Sequence, residues 1–145
     1  MVLTFSAILL GLLAIVRPLQ RNPFYILNAA LVIGIAQILE SYCFRTTPFS
    51  YKTVLFFFVI QFITINFTTF VAYFIDKRAA QRGVYRISES NLHTLEFLGG
   101  TLGAILGQKF LHHKNRKKSY QFAFHFIILL QVAAVIAILK YLHFI

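Results

Sequence analysis

Charge is scarce in this chain: 12% of its 145 residues are Asp, Glu, Lys or Arg, against about 25% in an ordinary soluble domain. Acidic side chains are scarcest, with only Glu40, Asp76, Glu89 and Glu96, and there is no tryptophan. So little charge excludes a typical soluble domain. The wealth of branched and aromatic residues equally excludes a disordered segment. The lone Cys43 cannot form an internal disulfide, and no cysteine cluster offers a zinc site, so the redox compartment is not legible. Met1–Val16 has no basic stretch ahead of its apolar run and no Ala-x-Ala pattern, so it reads as a retained helix rather than a cleaved signal. Nothing suggests lipidation, and no internal repeat is visible.

What is present points to an integral membrane protein: 59% of the residues are hydrophobic and the mean hydropathy is +0.74. The 14 Lys and Arg give a formal net charge of +10. On a soluble chain that excess would suggest nucleic acid. Here topology has the stronger claim, because cytoplasmic loops of membrane proteins collect Lys and Arg. Four apolar runs approach the length needed for a bilayer core of about 30 Å at about 1.5 Å per helical residue. They are Val2–Val16, Phe24–Tyr42, Val54–Ile75 and Gln121–Leu139, the first of them short enough to need tilt and a snorkelling Arg17. Tyr25, Tyr42, Tyr51, Tyr73, Tyr120 and Tyr141 flank the later runs, as amphipathic rings do at a membrane interface.

A fifth segment, Ser88–Leu111, reads as a helix of a different kind. Gly99, Gly103 and Gly107 form a small-residue stripe, Glu89, His93 and Glu96 share its arc, and leucines and isoleucines cover the other side. If this segment crosses, the two faces of the membrane carry equal numbers of Lys and Arg. If it dips in and returns, only Arg45, Lys52 and Lys140 lie on the outer face and every other cation is cytoplasmic. The positive-inside rule favours the second arrangement. The expected fold is therefore all-α: a single membrane domain, 1–145, of four transmembrane helices plus one glycine-rich re-entrant or interfacial helix, with residues 76–120 on the cytoplasmic face. The glycine stripe also suits a true span packed on a neighbour, so five transmembrane helices are the alternative.

From about Val54 to 143 the chain resembles a family of small bacterial membrane proteins of unknown function, DUF1294. The resemblance is carried by Asp76-Lys77-Arg78-Ala79-Ala80, Arg86-Ile87-Ser88-Glu89, Leu92, Leu95, Gly99-Gly100, Gly103-Ala104 and His113 through Tyr120. Ser88, Asn115 and Tyr120 replace the family's usual Pro, Thr and Phe, each keeping a helix-start, polar or aromatic character. The resemblance implies residence in a bacterial inner membrane and carries no mechanism. Residues 1–50, an apolar helix pair, lie outside it; relatives that carry a cold-shock-like domain there would have an RNA-related role that this chain does not suggest.

Several groupings carry potential chemistry. Glu89, His93 and Glu96 fall at i, i+4 and i+7, a spacing that puts two carboxylates and an imidazole on one face, able to pass protons or, with His112 or His113, to hold a metal. The plainer reading is that they bond to neighbouring basic loops. No second motif completes a metal site, and no cofactor is expected. Lys77, Arg86, Lys114 and Lys117 are the candidate ligands for a phosphate or anionic lipid headgroup. The same cations also serve topology alone, and nucleic acid is disfavoured. Asp76, Lys77, Arg86 and Glu89 alternate in sign and are expected to pair with one another. Asn28, Gln37, Gln61, Asn66, His125 and Gln131 read as interhelical hydrogen-bonding groups.

Three functional classes follow. The leading expectation is an accessory or interaction protein whose basic cytoplasmic face meets acidic lipid or a protein partner, in a bundle, homo-oligomer or larger membrane complex. The second is a membrane enzyme on a phosphate-bearing lipid, with Glu89, His93 or His113 as base. The third is an oligomeric ion or small-solute pathway lined by Gln61, Asn66 and His125.

Overall fold

The computed structural model describes residues 11, 15, 22–43, 51–112, 114 and 117–141, with the backbone alone for 40–43 and 51–54. The first apolar run, apart from Gly11 and Ile15, lies outside the described residues, as do His113, Asn115, Arg116, Arg17, Arg21 and Arg45. Among the described residues every regular element is helical, in the order α1 (Pro23–Cys43), α2 (Tyr51–Arg82), α3 (Glu89–Leu95), a π-helical turn (Glu96–Gly100), α4 (Thr101–Leu111) and α5 (Lys118–Tyr141).

Local chemistry sets most of the boundaries. Pro23 opens α1, where its missing N–H costs nothing, and the Asn22 side chain accepts from the Phe24 N–H at 3.1 Å. Gly83, at φ 66°, closes α2, with Val84 N–H donating back to the Ala79 carbonyl at 3.2 Å, the left-handed C-terminal turn that glycine favours. Ser88 caps α3 by accepting from the Asn91 N–H, and Glu89 occupies the first turn, where a carboxylate suits the helix dipole.

The segment expected as one helix over 88–111 is instead bent back on itself. Gly99 has φ 105° and ψ 5°, a conformation that side-chain-bearing residues rarely adopt, and the chain reverses there. Going in, Ile87 N–H bonds the Asp76 carboxylate, Glu96 meets Tyr73, and Gly99 lies against Ile65. Coming out, Gly100 and Gly103 contact Thr69 and Asn66, Gly107 contacts Tyr73, and Lys114 returns to Asp76 and Glu89. The segment therefore descends along α2 and climbs back, with its two ends side by side. The reversal is spatially possible because α4 meets α2 through glycines; at Gly107 the nearest Tyr73 atoms would lie only 2.8 Å from an added Cβ.

Polar side chains hold the bend. Asn66 donates to the Gly99 carbonyl at 3.1 Å and accepts from the Gly103 N–H at 2.8 Å. Gln131 of α5 donates to the Glu96 and Phe97 carbonyls at 2.7 and 3.2 Å, and itself accepts from Thr101 at 2.5 Å. These bonds satisfy backbone groups that a broken helix cannot satisfy internally. The core beneath comprises Ile65, Ala72, Tyr73, Leu92, Leu95, Ala104, Tyr120 and Phe124; a second cluster of Val32, Ala36, Phe57 and Ile60 joins α1 to α2.

Two helices, Leu55–Arg82 and Lys118–Tyr141, are long and apolar enough to cross a membrane; Pro23–Leu39 is apolar but shorter. Their outer faces are strongly apolar, with Phe58, Phe67, Phe122 and Leu129 all more than 60% exposed.

Candidate functional site

Two fully buried carboxylates organise the space between the hairpin, α2 and α5: Glu96 and Asp76, each 0% exposed. A buried charge is costly unless paired and hydrogen-bonded, so their partners define the candidate site.

Glu96 begins the π-helical turn, and its side chain ties three elements together. Its Oε1 accepts from the Tyr73 hydroxyl of α2 at 2.5 Å and from the Tyr120 hydroxyl of α5 at 2.6 Å. The two hydroxyls also approach each other at 2.7 Å. Its Oε2 meets Nδ1 of His93, one turn earlier on α3, at 2.6 Å. The His93 ring stacks on Tyr120 with centroids 4.3 Å apart. Gln108 of α4 donates to the Tyr73 hydroxyl at 3.3 Å, and Gln121 of α5 donates to Gln108 at 2.7 Å. Every element around the bend thus contributes at least one hydrogen-bonding group.

Asp76, at the same end of α2, holds the mouth of the hairpin. Its Oδ1 accepts from the Ile87 N–H at 3.1 Å, and its Oδ2 faces Arg86 at 3.5 Å and Lys114 at 3.6 Å. Lys114 also bonds Glu89 at 3.0 Å, and Lys117 grips both Glu89 oxygens at 2.9 and 2.8 Å. The Lys117 hydrogen bond, reinforced by Lys114 and opposed by slight burial, holds the Glu89 carboxyl below its ordinary range.

The residues singled out from the sequence are distributed as follows. Glu89 and His93 share a helix face but separate in partners: Glu89 turns to the lysines, and only His93 joins Glu96. Arg86, Lys114 and Lys117 converge on one face of the hairpin mouth, where Asp76 and Glu89 occupy them; Lys77 is half-buried on α2. The pairing expected among Asp76, Lys77, Arg86 and Glu89 is found for Asp76 with Arg86, while Glu89 pairs across to residues 114 and 117. Gly103 and Gly107 lie against α2, and Gly99 forms the bend. His113 is outside the described residues.

Sequence reading missed Tyr73 and Tyr120 as site members. Both were expected to sit at an interface as markers of span ends; instead they are 0% and 1% exposed with their hydroxyls on Glu96. Tyr25, expected in the same role, is 2% exposed. The signal available was the lone Glu96 deep in an apolar stretch, which must find donors somewhere.

A family model described as "Protein of unknown function (DUF1294)" matches residues 66–120, the stretch that contains Asn66, Tyr73, Asp76, Glu89, His93, Glu96, the bend and Tyr120. The chain is also similar to the uncharacterized protein YsdA of Bacillus subtilis (strain 168), 34% identical over 76 residues that cover 52% of this chain and 84% of that protein. No solved structure matches the chain. With most of YsdA's length shared at that identity, and the family model falling on the hairpin and its partners, this chain belongs to the DUF1294 family of proteins of unknown function.

Proposed function

We propose that the protein is a small integral inner-membrane protein of accessory or interaction type, docking its cationic end against acidic lipid headgroups. In this reading four helices cross, and 88–111 is a re-entrant hairpin that enters from and returns to the cytoplasmic side. Irregular backbone at membrane depth is tolerated where it is buried in protein and its polar groups are satisfied, and Asn66, Thr101 and Gln131 supply partners to the Gly99 and Glu96 carbonyls.

The observation that carries the proposal is the sorting of charge at the hairpin mouth. Asp76 and Glu96 are fully buried and Glu89 is occupied by two lysines, whereas Arg78, Arg82, Lys109 and Lys118 are exposed. What faces outward at that end is therefore cationic, beside the 95% exposed Tyr85. Each such cation near an acidic bilayer surface contributes about 1 kcal/mol. Activity on a phosphate-bearing lipid has less support: Arg86, Lys114 and Lys117 are already held by carboxylates, and among the described residues no activated nucleophile stands beside them.

Native mass spectrometry of the detergent-extracted protein with phosphatidylglycerol or phosphatidylcholine tests the lipid role. Retention of the anionic lipid, lost when Arg78, Arg82, Lys109 and Lys118 are all replaced by Gln, is expected; equal retention of both lipids would refute it. Arg82→Cys and Lys118→Cys, each in a Cys43→Ser background, test the topology. Both should react with an impermeant reagent from the same side of the membrane, and opposite accessibility overturns the re-entrant reading.

A further inference from the structure

The Glu96 cluster has an imbalance that a purely structural network would not need. Three oxygens, Glu96 Oε1, Tyr73 Oη and Tyr120 Oη, form a triangle with edges of 2.5, 2.6 and 2.7 Å. All three are hydrogen-bond distances for O–H donors. With the carboxyl ionised, the two hydroxyls supply two protons for three edges, and one short oxygen–oxygen contact has no proton. With a proton on Oε1, each oxygen donates once and accepts once around the ring, and every edge is filled. Gln108 approaches the Tyr73 oxygen only as a donor, so it cannot supply the missing proton to the triangle.

The second carboxylate oxygen leads outward. Oε2 meets His93 Nδ1 at 2.6 Å, and the His93 side chain is 21% exposed while that of Glu96 is wholly buried. We propose that Glu96 and His93 together form a proton-binding site at the bend of the hairpin, holding one proton beyond those of the two tyrosine hydroxyls. Uptake of a proton from a hydronium ion, which leaves as water, takes the pair from a net charge of minus one to zero. The proton has two places: on Glu96 Oε1, where it closes the triangle while the neutral imidazole donates its Nδ1 proton to Oε2, or on His93, as an imidazolium whose Nδ1 proton faces the carboxylate.

The groups facing the pair are few. Tyr73 comes from α2, Tyr120 from α5, and the neutral Gln108 from α4 through Tyr73. Lys114 lies 5.4 Å from the centre of the Tyr120 ring and is paired with Glu89 and Asp76. His125 on α5 is exposed and engaged with the Gln121 carbonyl. No fixed cation is bonded to Glu96 among the described residues; its charged-group partner there is His93, which can carry the proton. Because Glu96 binds α2, α3 and α5 at once, the proton sits where it joins the hairpin to the rest of the bundle. The inference is independent of the lipid-facing role.

The test is nuclear magnetic resonance on the full chain in nanodiscs, with 13C in the glutamate carboxyls and 15N in the histidine rings. Glu40→Gln and Glu89→Gln, together with substitutions of the four other histidines, assign Glu96 and His93 by elimination without replacing a member of the cluster. The expected result is one proton-binding event seen at both groups with a common midpoint, as coupled sites require. Glu96 titrating without His93, or neither group responding across the range in which the protein stays folded, would overturn the proposal.

Discussion

At Gly103 the hairpin meets the backbone of α2 itself, and Gly103→Ala is the sharpest test of that packing. An added Cβ would collide with the Asn66 carbonyl oxygen and lie 2.9 and 3.1 Å from the Asn66 carbonyl carbon and Cα. These are backbone atoms in mid-helix, so no side chain can swing aside and the helices themselves must separate. Overpacking of this kind costs about 1–3 kcal/mol. Separation also stretches the two bonds through which Asn66 holds the bend, to Gly99 and Gly103, each worth about 1 kcal/mol. Against this, alanine gains about 1 kcal/mol of helix propensity over glycine. The net expectation is a loss of about 3 kcal/mol, roughly 150-fold in the folding equilibrium. Gly34→Ala is the control: nothing lies within 4 Å of its added Cβ, so it should be neutral or slightly stabilising. Chemical or thermal unfolding in detergent, followed by circular dichroism, measures both. If Gly103→Ala is as stable as Gly34→Ala, the close approach of hairpin and α2 is refuted.

Two further substitutions probe the bend and its mouth. Gly99→Ala has room, its nearest neighbour being Ile65 at 3.9 Å, but forces a side chain onto φ 105°; it should destabilise by about 1–3 kcal/mol through backbone strain alone, and an unchanged melting temperature would deny the reversal. At Glu89 the folded carboxyl is held below its ordinary value of 4.5 by Lys117 first and Lys114 second. Its contribution is therefore complete above that value and is lost as pH falls through the lower folded value. Because Glu89 is 35% exposed, solvent screening keeps the contribution small. Melting curves from pH 6 down to 3 should show a shallower acid loss in Glu89→Gln than in the parent chain, and identical slopes would sink the pairing.

Much of the helical framework was legible because it is local. The apolar runs over 24–42, 54–75 and 121–139 fall within the helices at 23–43, 51–82 and 118–141, and helical spacing put His93 and Glu96 on one face of a helix. The glycines were also visible as a stripe. Their division of labour was not: Gly99 reads like its neighbours, yet it alone carries the positive φ, and a φ value is a response to packing that spacing does not encode. Tyr73 and Tyr120 were misplaced at an interface for a related reason. An amphipathic ring at the end of an apolar run suits water and a buried acceptor equally, and only a carboxylate brought beside it by another element decides between them.

The sequence by itself therefore determined that the chain is helical, apolar and cationic, and that its scarce carboxylates must be accounted for individually. Those properties follow from composition and from periodicities of a few residues. The tertiary structure decided that the glycine-rich segment doubles back, that Lys114 and Lys117 meet Glu89, and that tyrosines 47 positions apart share one buried oxygen. Such pairings depend on the direction the chain takes after the bend, a non-local outcome of which surfaces fit closely enough to exclude a side chain.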